Sequence, residues 1–122
     1  YKSDPDLQAA HGAHPWICVW DDHESANNAW RDGAQNHNPE LGEGDWADRR
    51  AAAIRAYHEW LPIRERPGAG GPSIWRSFRF GALADLIMLD TRLHGRTRQV
   101  ADRTDMAAMR DPAHTILGPD QQ

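Results

Sequence analysis

The sequence holds a single cysteine, Cys18, a single lysine, Lys2, and no long apolar run. One cysteine excludes an internal disulfide framework. No apolar stretch approaches the roughly 20 residues that a helix needs to cross a bilayer. Positive charge is scarce as well: 14 Lys and Arg stand against 18 Asp and Glu, a formal net charge of −4. That argues against a module that holds nucleic acid through a basic surface. The chain contains no G-x-S-x-G, no Gly-rich phosphate loop and no Cys–His nucleophile pair, which removes several enzyme classes in their usual forms. It opens on Tyr1 with neither an initiator Met nor signal-like regions, and runs to Gln122 straight after ILGPDQ. The expectation is a piece of a longer protein, so the missing signal carries no weight on location. Thirteen basic residues are Arg, a bias that GC-rich codon usage explains without a function.

What remains is a polar chain of 122 residues, about one domain's worth. Its mean hydropathy is −0.80. Its 6 Trp and blocks such as LIMLD set it apart from disordered chains. Ser3 or Asp4 can cap a short helix that Gly12 to Pro15 would end. Trp16 to Trp20 is rich in β-formers and bounded by Pro15 and Asp21, which predicts a buried strand. Asp21 to Gly44 has no period and reads as a long polar loop, a feature that is functional or disordered in most compact domains. Asp45 to Leu61 predicts the principal helix. Trp46, Ala53, Ile54, Tyr57, Trp60 and Leu61 share its apolar face, Asp45 caps it, and Pro62 stops it. Two ion pairs are expected on the solvated side, Asp45–Arg49 and Arg55–Glu59. Pro67 to Pro72 reads as a flexible loop. Ser73 to Phe80 and Leu83 to Asp90 then predict a hairpin, with Leu86 to Leu89 fully buried. A short helical piece is expected near Met106.

The densest chemistry is Asp21-Asp22-His23-Glu24, directly after the expected strand. Groups at strand ends face the ligand crevice in α/β folds. Carboxylates with a histidine suit an oxygen-rich metal site. The alternative is a turn in which Asp21 and Asp22 cap while His23 and Glu24 face solvent. Asn27 and Asn28 offer neutral oxygens nearby, or simply form turns. His37 reads as a solvated loop histidine and His58 as structural. His11, His14, His94 and His114 lack ligand spacing. Asp90 and Arg92 read as a structural ion pair that anchors a loop, with Arg92 able to reach an anion. Cys18 reads as an inert core thiol.

Four blocks, YKSDPDLQAAHGAHPWICVWDDHESANNAW, EGDWADRRAAAIRAYHEWLPIR, IWRSFRFGALADLIMLDTR and ILGPDQ, resemble in order and spacing the PhoD-type alkaline phosphatases. The resemblance covers nearly the whole chain. It implies membership of the calcineurin-like metallophosphoesterases and an α/β fold. That fold would be a partial α-β-β-α sandwich with a long central helix, one strand before DDHE and a hairpin after the Gly/Pro loop. Residues 1–122 would then be the central fragment of one phosphatase domain. The resemblance also implies hydrolysis of phosphate esters outside the cytoplasm, in the periplasm or beyond the cell, by a metal pair of iron and calcium that activates water.

DDHE stands where the wider superfamily has Gly-Asn-His followed by Glu or Asp. Asp22 thereby takes a metal-binding position, and His23 that of the histidine that stabilises the transition state or protonates the leaving group. Asp21, at a glycine position, is a further metal-side or supporting carboxylate. Asn27 and Asn28 match the family's Asn pair and join the expected metal-side set. Ser25 replaces an aliphatic residue. The superfamily's other ligand motifs are absent, so the isolated chain is expected to be inactive. The alternative is a non-catalytic segment or interaction module with an incomplete metal site. No nucleic-acid surface and no membrane span are expected. A phosphate-ester substrate is, and self-association through open sheet edges is a secondary expectation.

Overall fold

The computed structural model describes residues 2–64, 67–68 and 71–122. Among the described residues three α-helices form, the first two at the expected caps and the third near Met106. In α1 (Pro5–Ala13) the Asp4 carboxylate accepts from the Leu7 amide at 2.9 Å, which satisfies one of the donors that a helix start leaves free. In α2 (Trp46–Trp60) Asp45 accepts from the Ala47 amide at 2.7 Å. In α3 (Met106–Arg110) Asp105 accepts from Ala108 at 2.9 Å.

The core lies between α2 and segments that precede and follow it in the chain. Trp46 and Tyr57 of α2 are buried in one cluster with Trp20, Ala26, Ala29, Ala34, Ile74 and Leu93. Tyr57 meets Trp20 edge-on at 5.3 Å between ring centroids, a favoured geometry for aromatic pairs. Burial pushes the Tyr57 phenol up to about 12. Trp60, expected on the buried face, is 64% exposed. Of the two expected ion pairs on α2, Arg55–Glu59 forms at 3.4 Å. Arg49 turns instead to Glu43 and His37, at 3.5 and 3.2 Å.

The expected strand at 16–20 does not form. The segment has no regular secondary structure and joins no ladder among the described residues. β-rich composition favours extended backbone, yet a strand needs a neighbour to take its amides and carbonyls. What fixes the segment is Trp20 in the core and the Arg76 guanidinium, which donates to the Cys18 carbonyl at 2.8 Å. Cys18 is half-buried and packs against the core as a free thiol.

Among the described residues four short strands pair in two antiparallel ribbons. β1 (Pro67–Gly68) pairs with β2 (Gly71–Pro72); the rest of the expected Gly/Pro loop, residues 69 and 70, lies outside the described residues. β3 (Arg76–Phe80) pairs with β4 (Ala84–Met88), in register Arg76 to Met88 and Phe80 to Ala84. The hairpin is as expected, but its burial is not. Ile87 is 66% exposed, and Leu86 and Leu89 are also exposed, because no layer of described residues covers this ribbon.

After β4 the chain folds back through a buried Asp90. Its Oδ1 accepts from the Arg92 and Leu93 amides at 2.8 and 2.7 Å. The Gln121 amide brackets its backbone, accepting from the Asp90 N–H at 2.8 Å and donating to its carbonyl at 2.9 Å. Asp90 therefore shapes the turn through backbone amides, and the expected Asp90–Arg92 ion pair does not form. No described helix is long and apolar enough to cross a membrane.

Candidate active site

Residues 21–28 form a tight turn in which each member of DDHE has a separate task. The Asp22 carbonyl accepts from the amides of Ser25 and Ala26, both at 2.9 Å. Glu24 reaches back to accept from the Asp21 amide at 3.0 Å. Asp22 is buried, whereas Asp21 and His23 point outward, with side chains 71% and 80% exposed. Together these four residues line an open depression.

Asp22 Oδ2 accepts from the Asn28 amide at 2.6 Å and lies 4.0 Å from the Arg92 guanidinium. Burial opposes its charge most strongly, but the Asn28 amide, Arg92, its own backbone amide and His23 together hold the carboxyl below the usual range. A carboxyl depressed in the folded state contributes stability above its unfolded value and loses it as pH falls through the folded value. Asp22→Asn should therefore flatten the acid limb of the stability curve. Urea titrations from pH 7 to pH 3 read this directly; equal acid limbs would show that Asp22 carries none of the pH dependence.

The arginine that organises this turn comes from far along the chain. Arg92 Nε donates to Asp21 Oδ1 at 2.7 Å, and Nη2 lies 2.6 Å from the same oxygen. Arg96 sits close by, its pKa lowered by burial and by Arg92. The sequence marks Arg92 as notable, but nothing local names Asp21 as its partner.

Asn27 and Asn28 are half-buried on this turn. Asn27 Oδ1 lies 3.2 Å from His23 Nε2. Asn28 adopts a left-handed backbone, φ +50°, which asparagine tolerates better than most residues. Gln35, exposed on the opposing limb, accepts from the side-chain amides of both asparagines. Sequence reading missed Gln35. Its only signal is position, since the Trp30–Gly33 bridge turns the chain back so that 35 meets 27 and 28.

His37 is a correction. Its side chain is 2% exposed, with Nδ1 3.2 Å from Arg49 Nη1 and its ring 5.2 Å from that of Trp46. Arg49 of α2 partners Nδ1, whereas Nε2 is buried with no hydrogen-bond partner among the described residues. Arg49 also reaches the Ser25 carbonyl at 3.4 Å, so α2 is tied to the site turn. His58 is structural, as expected, with Nδ1 2.9 Å from the Ile54 carbonyl oxygen.

The donor set does not amount to a metal centre by itself. No three His, Cys, Asp or Glu side chains converge among the described residues, and a stable site for a metal pair needs more donors than that. Asp21 is engaged by Arg92, and the Asn27 oxygen by His23.

Comparison with known proteins decides the family. The PhoD-like phosphatase family model matches residues 1–122. The chain belongs to the PhoD-like phosphatase family. It is 38% identical over 128 aligned positions to alkaline phosphatase D of Bacillus subtilis (strain 168), covering 100% of this chain and 21% of that protein. The solved structure of PhoD superposes with a TM-score of 0.79 at 35% identity, over 98% of this chain and 23% of that one. The chain thus spans about a fifth of the length of these PhoD relatives. The partial α/β architecture expected from the resemblance agrees with this likeness.

Proposed function

We propose that this chain is the DDHE-bearing part of a phosphoric ester hydrolase, and that His23 is its general acid. The observation that carries the reading is the exposed His23 imidazole, steadied by Asn27 and set at an open depression beside the buried Asp22. A substrate oxygen leaving phosphorus gathers negative charge, and an imidazole within hydrogen-bond reach can protonate it. The absence of a covalent-nucleophile motif fits direct attack by water. Asp22, buried yet readily ionised, is proposed to give one donor to a metal centre whose other donors lie outside the described residues. Asp21, Asn27 and Asn28 stand on the metal side in the same proposal, and their present engagements make them supports of the turn. Identity to an alkaline phosphatase supports a phosphate-ester substrate, and action outside the cytoplasm follows from the resemblance. Self-association through the open edges of the β3–β4 ribbon belongs to the same reading.

Because the donors are too few, the 122-residue chain alone should retain no stoichiometric metal after dialysis and turn over no chromogenic phosphate ester. Elemental analysis and a colorimetric assay on one sample check this. Bound metal with turnover would mean that these residues do complete a working centre. A chimera in which residues 1–122 replace the matching fifth of alkaline phosphatase D should hydrolyse the same ester, and an inactive but folded chimera would count against the reading.

A further inference from the structure

Gln35 holds two asparagines with one oxygen. Its Oε1 accepts from Asn27 Nδ2 at 3.1 Å and also from Asn28 Nδ2. A carboxamide oxygen has two lone pairs, so these two bonds saturate it. An asparagine amide can turn over and exchange its oxygen for its nitrogen unless its neighbours distinguish the two ends. Here the distinction comes from Gln35: with Nδ2 of Asn27 committed to Gln35, its Oδ1 is left facing His23 Nε2 at 3.2 Å. An amide oxygen only accepts, so in that contact Nε2 is the donating nitrogen and Nδ1 is the one left facing the depression's solvent side of the ring. We propose that Gln35 is a positioning residue of this site, which sets the side-chain amides of Asn27 and Asn28 and, through Asn27, the His23 ring.

The backbone of the turn does not depend on that side chain. The Gln35 N–H donates to the Asn27 carbonyl at 2.9 Å, and Asn36 Oδ1 accepts from the Asn27 amide at 2.8 Å. The Asn28 amide is separately held by Asp22. Gln35 itself is exposed. Removing its side chain therefore leaves the main chain pinned and frees the amides, which separates positioning from folding.

The consequence for turnover rests on the reading of His23 as general acid, but the positioning can be measured without any activity. In the 122-residue chain, side-chain 15N relaxation should give the Asn27 and Asn28 NH₂ groups order parameters in the rigid range, about 0.85. Gln35→Ala should bring them below about 0.6 and remove the nuclear Overhauser contacts between the His23 ring and Asn27, with the urea midpoint unchanged. Gln35→Glu, which keeps an acceptor oxygen, should restore both signals. In the chimera Gln35→Ala should lower kcat about tenfold with little change in KM, as loss of groups that orient reacting side chains does elsewhere, and Gln35→Glu should recover it. Unchanged order parameters and contacts in Gln35→Ala would overturn the proposal. So would failure of Gln35→Glu to restore them. A chimera without activity would sink the phosphatase reading and leave the relaxation result to decide on Gln35.

Discussion

His23→Asn in the chimera with alkaline phosphatase D should lower kcat by about 10²–10⁴-fold, the range that a positioned general acid contributes. The substitution keeps a polar side chain of smaller size and removes the titrating ring. His23 is almost fully exposed and takes no part in the core, so stability should change by less than about 0.5 kcal/mol. An intact fold with a lost rate is the combination that identifies a group acting on substrate. If the imidazole is the acid, an ester with a much better leaving group should be hurt far less, since its oxygen leaves without a proton. Steady-state kinetics on a poor and a good leaving group measure both effects. Equal losses on the two esters would assign His23 to binding or to charge stabilisation instead of proton donation.

Gly95→Ala should cost about 1–3 kcal/mol, the usual penalty for forcing atoms into a filled site. Gly95 and Gly118 lie back to back. A Cβ on Gly95 would run into the Leu117 carbonyl oxygen and the Gly118 Cα, all backbone. Gly118 has φ +71° and faces the Gly95 Cα in return, so it cannot easily move aside. No flexible side chain is available to yield. The displaced strand of chain includes Gln121, so its bonds to Asp90 and to the Leu117 carbonyl should fail with it. Gly12→Ala is the control. It lies in α1 with nothing within 4 Å of the added methyl, and should stabilise by up to about 1 kcal/mol through helix propensity. Urea denaturation of both variants checks the pair; a midpoint for Gly95→Ala equal to that of the parent would mean that the two segments separate without cost.

Local chemistry was legible in the sequence, and pairing across distance was not. Asp4, Asp45 and the apolar spacing of 46–61 announce α1 and α2 because caps and helical periodicity are encoded within a few residues. The hairpin of β3 and β4 is likewise a near-neighbour event. The segment Trp16 to Trp20 shows the limit. Its composition reports a preference for extended backbone, while strand formation depends on a neighbour that composition does not name. Leu86 to Leu89 fails for a related reason: an apolar run reports what a strand would bury, not whether anything covers it. His37 looked solvated because its neighbours in sequence are Asn36 and Asn38, whereas its burial comes from Arg49 and Trp46 of α2. At the site, DDHE and the asparagine pair could be picked out. The roles of Arg92 and Gln35 could not, since both act on residues well away from them in the chain.

The bridge from Arg92 to Asp21 carries an implication for the order of assembly. It spans 71 residues, whereas the bonds that tie 27 to 36 span 9. Closing the longer span costs about 2 kcal/mol more chain entropy. The bridge ends on a carboxylate that is 71% exposed, and exposed ion pairs return about 0–1 kcal/mol. The bonds within the turn should thus close early, and the Arg92 bridge only after the hairpin has brought Arg92 home. In the native protein the sequence of events reverses. Hydrogen exchange should be fast at the Arg92 Nε–H and slow at the amides of Asn27 and Asn28, so that the mouth of the site breathes while its floor stays shut.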